Sequence, residues 1–442
     1  VSSAAPHTPA AQPFATGRPG GVAAQWPRRS SDGLRRGWAV LLTLLLLLGG
    51  AAAPAAALSD AQQLVVEAWR LVNQSYVDPD QLEQLHWRQL RQKALERPIQ
   101  TSRDAYDAIE AMLAPIGDPY TRLLRPAEFN TLQSNTRGTV SGVGLQLALR
   151  DGQRIVVIAP LEGSPAAEAG IVSGSELLSV DGQPCAELGL EATASRLRGS
   201  SGSEVLLTVR APGSQRSREV VLRRREVDLR PVRSSRIERD GHSLGILRIT
   251  QFSEPVPQQV RDALIGFADA GAKQPPIAGL LLDLRNNSGG LVQAGLAVAN
   301  TLLDAATIVA TEDRGGLQDI QRAAPGQLYA GPMLTLVNGG TASASEILAG
   351  ALQDDDRSAL VGSRTFGKGL IQSLIPLGDG SGLAVTVARY VTPGGRDIQN
   401  LGIEPDLNLE GPEPLNPGGA DDPWLTQAED LLVERIRSGD AS

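Results

Sequence analysis

Cysteine, lysine and histidine are nearly missing from this 442-residue chain. A single cysteine, Cys185, excludes an intramolecular disulfide and a Cys-rich metal site. It follows a Gly-Gln-Pro turn and lacks the context of a nucleophile. The three histidines are His7, His86 and His242, with no His-Glu-x-x-His, which argues against a zinc protease. His7 lies in the leader. A Ser-His-Asp triad would have to use His86, in a polar helical stretch beside Trp87, or His242, in the turn Asp240-Gly241-His242. Only Lys93, Lys273 and Lys368 are lysines, so 38 of the 41 basic residues are Arg. Arginine does not lose its proton in a protein, whereas a buried lysine can.

Hydrophobic residues make up 41% of the chain, ample for the cores of two or three domains. Residues 1 to 34 are rich in Pro, Ala, Ser and Gly. Arg35-Arg36 then precede an apolar run from Trp38 to Leu48, interrupted by Thr43. Gly49-Gly50 end the run, and Ala55-Ala56-Ala57 is a small-residue cleavage signal. This reads as an export signal, too short to span a bilayer comfortably; the other reading is an uncleaved anchor. Arg28-Arg29 is a weak twin-arginine hint. Residues 1–57 carry a net charge of +4 against −8 for the whole chain, which leaves −12 on the rest. An acidic, exported chain is a poor nucleic-acid binder.

What remains is organised around residues 338–369. Met333 to Val337 is apolar and reads as a buried strand. Asn338-Gly339-Gly340 breaks it, and from Ser343 the residues favour helix. Ser343 therefore falls where a strand hands over to a helix, beside free backbone N–H groups, a place that can hold a nucleophile and an oxyanion together. Ser343-x-x-Glu346 is equally a capping box. Lys368, between Gly367 and Gly369 in an apolar stretch, is a candidate general base or else a solvated loop lysine. As a base its pKa has to fall by about 3 from about 10.4 to work near neutrality, roughly 4 kcal/mol, which desolvation can supply.

In chain order, residues 58–137 read as a small helical module. Helices are expected from Ser59 or Asp60, over Leu82 to Leu95, and from Ser102 to Leu113. Asp118 to Arg122 is a turn, and nothing in the module is expected to carry chemistry. Residues 138–225 switch to short alternating strands with two helices. They resemble a PDZ domain, and Ser141-Gly142-Val143-Gly144-Leu145 resembles its carboxylate-binding loop. That likeness makes Gly142, Val143, Gly144 and Leu145 the expected site for a protein's C-terminus. The family usually has Asp where Ser175 stands. Residues 226–408 alternate strand and helix as in an α/β domain. Residues 409–442 read as a Pro/Gly-rich tail with a short last helix. The fold expected is α+β and multidomain.

Gly241-His242-Ser243-Leu244-Gly245 matches the Gly-x-Ser-x-Gly elbow of α/β-hydrolases. An esterase using Ser243 needs a strand before it and a helix after it. Here a polar turn precedes and a strand follows, so the motif reads as a hairpin. Asp283 to Gly290 ends a buried strand and opens an Ala/Leu-rich helix, and its glycines can aim N–H groups at an anion.

Together with Thr341 to Glu346, Thr365 to Gly369, Asp379-Gly380-Ser381-Gly382 and Gly402 to Asp406, these residues resemble the carboxyl-terminal processing (tail-specific) serine proteases, of the cyanobacterial and chloroplast type. The resemblance implies a crotonase/Clp-protease-like core with Ser343 as nucleophile, Lys368 as base and Gln372 orienting the lysine. It maps the oxyanion donors to the backbone of Gly289 and Ala344, and Glu346 to a supporting role. The family motif usually has Pro at Ser288. The implied reaction needs no metal or cofactor. It acts on protein substrates with a free C-terminus, among them the photosystem II reaction-centre precursor or more general periplasmic targets. No nucleic acid is involved, and membrane contact arises only through substrates or an uncleaved anchor. A non-catalytic exported PDZ scaffold is the competing class.

Overall fold

The computed structural model describes residues 58–439 apart from 151–153, 162, 173, 269–274, 317, 415–416 and 420. The expected leader and signal lie outside the described residues.

The N-terminal helices form where local signals ask for them. Ser59 and Gln62 make a capping box for Asp60–Ser75, and Thr101 with Asp104 makes one for Ser102–Leu113. Val65, Ala68, Val72, Ala105 and Ile109 bury the facing stripes. The helix expected over Leu82 to Leu95 is instead two, Pro79–Gln84 and Trp87–Leu95, because His86 turns left-handed at φ 53°. Two indole N–H groups pin the break: Trp69 donates to the Trp87 carbonyl (3.0 Å) and Trp87 to the Trp69 carbonyl (3.2 Å). A further helix, Pro126–Arg137, has Pro in its first turn and buries only Phe129.

This helical module shares its core with a five-stranded sheet. Strands Arg122–Leu124, Gly382–Val391, Thr307–Asp313 and Gln318–Arg322 lie in that order, and Leu370–Pro376 also pairs with Gly382–Val391. Leu123, Leu377, Leu383 and Val385 pack among the helices' apolar residues. The short strand Arg122–Leu124 therefore carries the module's last turn into the sheet that also holds the chain just after Lys368.

In the PDZ-like stretch, strands run in the order Leu145–Arg150, Arg154–Pro160, Glu176–Val180, Glu204–Arg210, Ser217–Arg223. Leu145–Arg150 is an edge strand, with the helix Cys185–Leu197 packed beside it. Entry and exit are zipped together by the antiparallel pair Thr139–Gly142 and Arg225–Asp228.

The α/β core is a six-stranded sheet in the order Val232–Arg239, His242–Ile249, Gly279–Asp283, Met333–Val337, Ala359–Gly362, Leu407–Asn408, parallel from the second strand onward. Every residue of Gly279–Asp283 and of Met333–Val337 is buried, as expected for strands covered on both faces. Helices Val256–Ala268, Val292–Leu302 and Ala344–Asp354 contribute to one core cluster. The last helix, Pro423–Ser438, packs Ala428, Leu432 and Val433 on Leu244, Leu281, Leu334 and Leu336 in another. Its start is fixed by a buried ion network: Arg285 bonds both oxygens of Asp422 (3.0 and 2.6 Å) and both of Asp283 (2.9 and 2.8 Å).

Candidate active site

Two crossover loops of the parallel sheet meet at Ser343. Residues 338–343 leave Met333–Val337, and residues 284–291 leave Gly279–Asp283. They are laced together by polar groups that the apolar strands cannot supply. Asn338 Oδ1 accepts from the Asn286 N–H (2.8 Å) and the Gly340 N–H (3.1 Å). Thr341 Oγ1 donates to the Leu284 carbonyl (3.0 Å). The Asn287 carbonyl accepts from the Ala342 N–H (3.0 Å) and the Ser345 hydroxyl (2.9 Å). Held this way, Ser343 sits at φ 57° and ψ −119°, immediately before the helix Ala344–Asp354. A non-glycine residue in that region stores about 1–3 kcal/mol of strain, which persists only where surrounding structure imposes it.

The capping-box reading and the catalytic reading of Ser343-x-x-Glu346 turn out to share one carboxylate. Glu346 is fully buried. Its Oε2 accepts from the Ser343 N–H (2.9 Å) and the Lys368 N–H (2.9 Å). Its Oε1 accepts from the Gly367 N–H (2.7 Å) and the Thr365 hydroxyl (2.6 Å). Two amides sharing one oxygen lie at most twice that distance apart, so Glu346 fixes the Ser343 and Lys368 backbones beside each other. Tyr390 adds a second tie, because its hydroxyl lies 3.0 Å from the Ser343 carbonyl and 2.5 Å from the Lys368 carbonyl. Burial holds the Tyr390 phenol protonated, its pKa raised well above the ordinary tyrosine value.

The Lys368 side chain reaches Tyr120, on the turn Asp118–Arg122. Nζ lies 4.8 Å from the centroid of the Tyr120 ring, and no hydrogen bond joins it to the Ser343 hydroxyl among the described residues. Its pKa is below the ordinary lysine value. Desolvation is the larger cause and the positive charge of Arg122 the next, while Asp118 and Glu346 act in the opposite sense. Tyr120, Arg122 and Asp118 all come from the 118–122 stretch of the helical module, so a module from which no chemistry is expected reaches the Lys368 side chain. Gln372, which the resemblance gives the role of orienting the lysine, sits on the strand that follows Lys368. It pairs in register with Thr386 across the sheet, and its amide donates to Thr386 Oγ1 at 3.5 Å.

Gly289 is pressed against the nucleophile. A Cβ there would lie 2.9 Å from Ser343 Cβ and 3.1 Å from the Ala344 nitrogen, and φ is 98°, so only glycine fits. The Ala344 N–H, first in its helix, has no intrahelical acceptor. The Gly289 N–H, by contrast, already donates to Asn287 Oδ1 (3.0 Å). Gly289, to which the resemblance maps an oxyanion donor, thus lies against Ser343 with its N–H occupied in this structure. Asn287 itself is fully buried, with its amide donating to the Ile249 carbonyl (3.0 Å).

The Gly142–Leu145 stretch stands at the head of the PDZ-like edge strand. Gly144 has φ 73°, and a Cβ there would meet Ser164 Cβ at 2.2 Å. The Val143 carbonyl accepts from Ala166 (3.0 Å) and the Gly144 carbonyl from Leu161 (2.8 Å), so the loop is turned inward at those oxygens. Gly142 bridges to Arg198 at the end of the neighbouring helix, and Leu145 begins the free edge strand. A cavity of about 680 Å³ lies between this module and the helical one, lined by Arg122, Asn130, Arg137, Ser141 and Arg198 among others.

Other sequence candidates fall away. Ser243 lies within a strand whose partner is reached through the turn at Asp240 and Gly241, both left-handed, which is the hairpin and not an elbow. Cys185 is buried in the PDZ-like core, and that burial raises its thiol pKa. Among the described residues no group of His, Cys, Asp and Glu is arranged to hold a metal ion.

Comparison with known proteins places these elements in a family. Residues 243–409 match the model of peptidase family S41, and residues 156–211 match a PDZ domain. A carboxyl-terminal-processing protease from Picosynechococcus sp. is 44% identical over 405 residues, covering 91% of this chain and 96% of that protein. A chloroplastic C-terminal processing peptidase from Tetradesmus obliquus is 40% identical over 374 residues, 81% of this chain and 79% of that protein. The solved structure of a photosystem II D1 C-terminal processing protease superposes with a TM-score of 0.55 at 39% identity, over 80% of this chain and 94% of that one.

Proposed function

Because the chain belongs to peptidase family S41, among the carboxyl-terminal-processing proteases, we propose that it cleaves proteins near their C-terminus with Ser343 as nucleophile and Lys368 as base. The neutral Lys368 amine takes the Ser343 hydroxyl proton as Oγ attacks the peptide carbonyl. The Ala344 N–H meets the developing oxyanion, joined by the Gly289 N–H once Asn287 Oδ1 releases it. The lysine then returns its proton to the leaving amine, and water, deprotonated in turn by Lys368, hydrolyses the acyl-enzyme. Gln372, on the strand after Lys368, orients the amine during that cycle. The observation that carries this reading is the Glu346 carboxylate, which ties the backbone of the strained serine to that of the lysine.

The PDZ module supplies choice of substrate. A free C-terminus pairs with the edge strand Leu145–Arg150 and sets its carboxylate at Gly142–Leu145. The placement of Lys368 Nζ over the Tyr120 ring, with no hydrogen bond to the Ser343 hydroxyl among the described residues, supports a resting state in which an empty PDZ module leaves the base unengaged. The photosystem II reaction-centre precursor is the substrate we propose first, on the likeness to the processing protease of that system. The apolar run Trp38 to Leu48 and Ala55-Ala56-Ala57 support export, with cleavage near Ala57 and residence in a periplasm or thylakoid lumen. Among the described residues no helix is long and apolar enough to cross a membrane.

The test is to incubate purified enzyme with that precursor and sequence the product's new C-terminus. Ser343→Ala and Lys368→Ala each lower cleavage by about a thousandfold or more with an unchanged circular dichroism spectrum. Full activity in Lys368→Ala refutes the assignment. Unaltered rate and selectivity after deletion of the PDZ module counts against gating.

A further inference from the structure

The turn Asp118–Arg122 is far from Lys368 in sequence, yet it supplies the surface on which the amine lies. That turn is rigid. Asp118 Oδ1 accepts from the Tyr120 N–H (2.9 Å), and Oδ2 accepts from the hydroxyls of Thr121 (2.7 Å) and Thr386 (2.6 Å). The Thr386 N–H returns a bond to Thr121 Oγ1 (3.0 Å). The turn that carries Tyr120 is therefore fastened to the strand Gly382–Val391, which pairs with the strand following Lys368. Nζ sits over that ring at 4.8 Å. An aromatic face attracts an ammonium and has no comparable hold on a neutral amine.

We infer that Tyr120 is a positioning residue for the base: its ring is the resting platform of the Lys368 ammonium, which the amine leaves as it loses its proton and turns to Ser343. This rests on Lys368 being the base. The charged groups acting on the amine are Arg122 and Asp118 on the same turn and Glu346 on the nucleophile's helix, while Tyr390 bonds the Lys368 carbonyl. Arg122 disfavours the charged form, and Asp118 and Glu346 favour it. Tyr120 adds attraction for the cation without adding a charge, so its removal lowers the pH at which neutral amine appears.

Two measurements test this on the full chain. One is the pH profile of kcat/KM. The other is the pH dependence of Lys368 acylation by an amine reagent, read by peptide mass in a Ser343→Ala background, where no turnover is needed. Tyr120→Leu moves both the acidic limb and the labelling midpoint to lower pH by about half a unit to one unit. Tyr120→Phe keeps the ring and restores the wild-type midpoint. Arg122→Gln moves both the opposite way. A labelling midpoint unchanged in Tyr120→Leu overturns the inference whatever the activity does. A midpoint that moves while the activity limb stays put upholds the platform and removes Lys368 as the base.

Discussion

The two halves of the candidate dyad are held in opposite ways. Ser343 is clamped through its backbone, its strained angles imposed by the Asn286–Asn338 lacing and the buried Glu346 carboxylate. Lys368 shares that carboxylate through its own N–H, while its amine lies over an aromatic ring from a different module. The same contrast recurs at the oxyanion donors, where the Ala344 N–H has no intrahelical acceptor and the Gly289 N–H is spoken for by Asn287. The backbone of the site is assembled before the side chains are. In the reading proposed above, activation needs a lysine rotation and the release of one amide, within a frame held by the bonds of Asn338 and Glu346.

Undermining the anchored half should cost most. Asp422→Ala leaves Arg285 fully buried with one of its two carboxylates gone, and stability falls by about 3–5 kcal/mol in chemical denaturation. Burial disfavours the Arg285 charge, and Asp283 and Asp422 outweigh it, so a loss under about 1 kcal/mol would mean the last helix does not depend on that network. Next comes Glu346→Gln, which removes the charge that four donors share. We expect about 2 kcal/mol less stability and a kcat lower by about 10- to 100-fold. A variant with normal kcat would show that the backbone tie is dispensable.

The lysine half responds more gently and with a definite sign in pH. The folded-state pKa of Lys368 is lowered, so between that value and the ordinary lysine value the unfolded chain binds the proton and the folded one does not. Its contribution to stability therefore rises with pH through that window, and below it Lys368 is a constant cost. Lys368→Met is expected to raise Tm at neutral pH and to flatten the rise toward alkaline pH. Parallel Tm curves for wild type and variant across that range would contradict the desolvated amine.

The parts of this site that local sequence announces are those made by local physics. Ser343 stands out because a buried strand, two glycines and a helix-forming run must place it at a junction. Lys368 stands out because almost every other basic residue is Arg. Tyr120, Asp118 and Tyr390 carry no such mark, for they act across the fold and each would serve equally well as core or turn. The occupied Gly289 N–H is equally hidden, since a glycine-rich loop reads as open until its Asn287 neighbour is placed. In the fold, capping boxes mark the helices at Asp60–Ser75 and Ser102–Leu113. Pro126–Arg137 buries one phenylalanine and so leaves no apolar stripe to see. The break at His86 is set by paired tryptophans from two helices, a tertiary cause that no periodicity carries.

The most direct test is a crystal structure of the Ser343→Ala protein with a substrate tail bound. The account predicts the Lys368 amine off the Tyr120 ring and directed at position 343, with Glu346 still holding the amides of residues 343, 367 and 368. A tail seated beside position 343 while the lysine still lies on Tyr120 would contradict it.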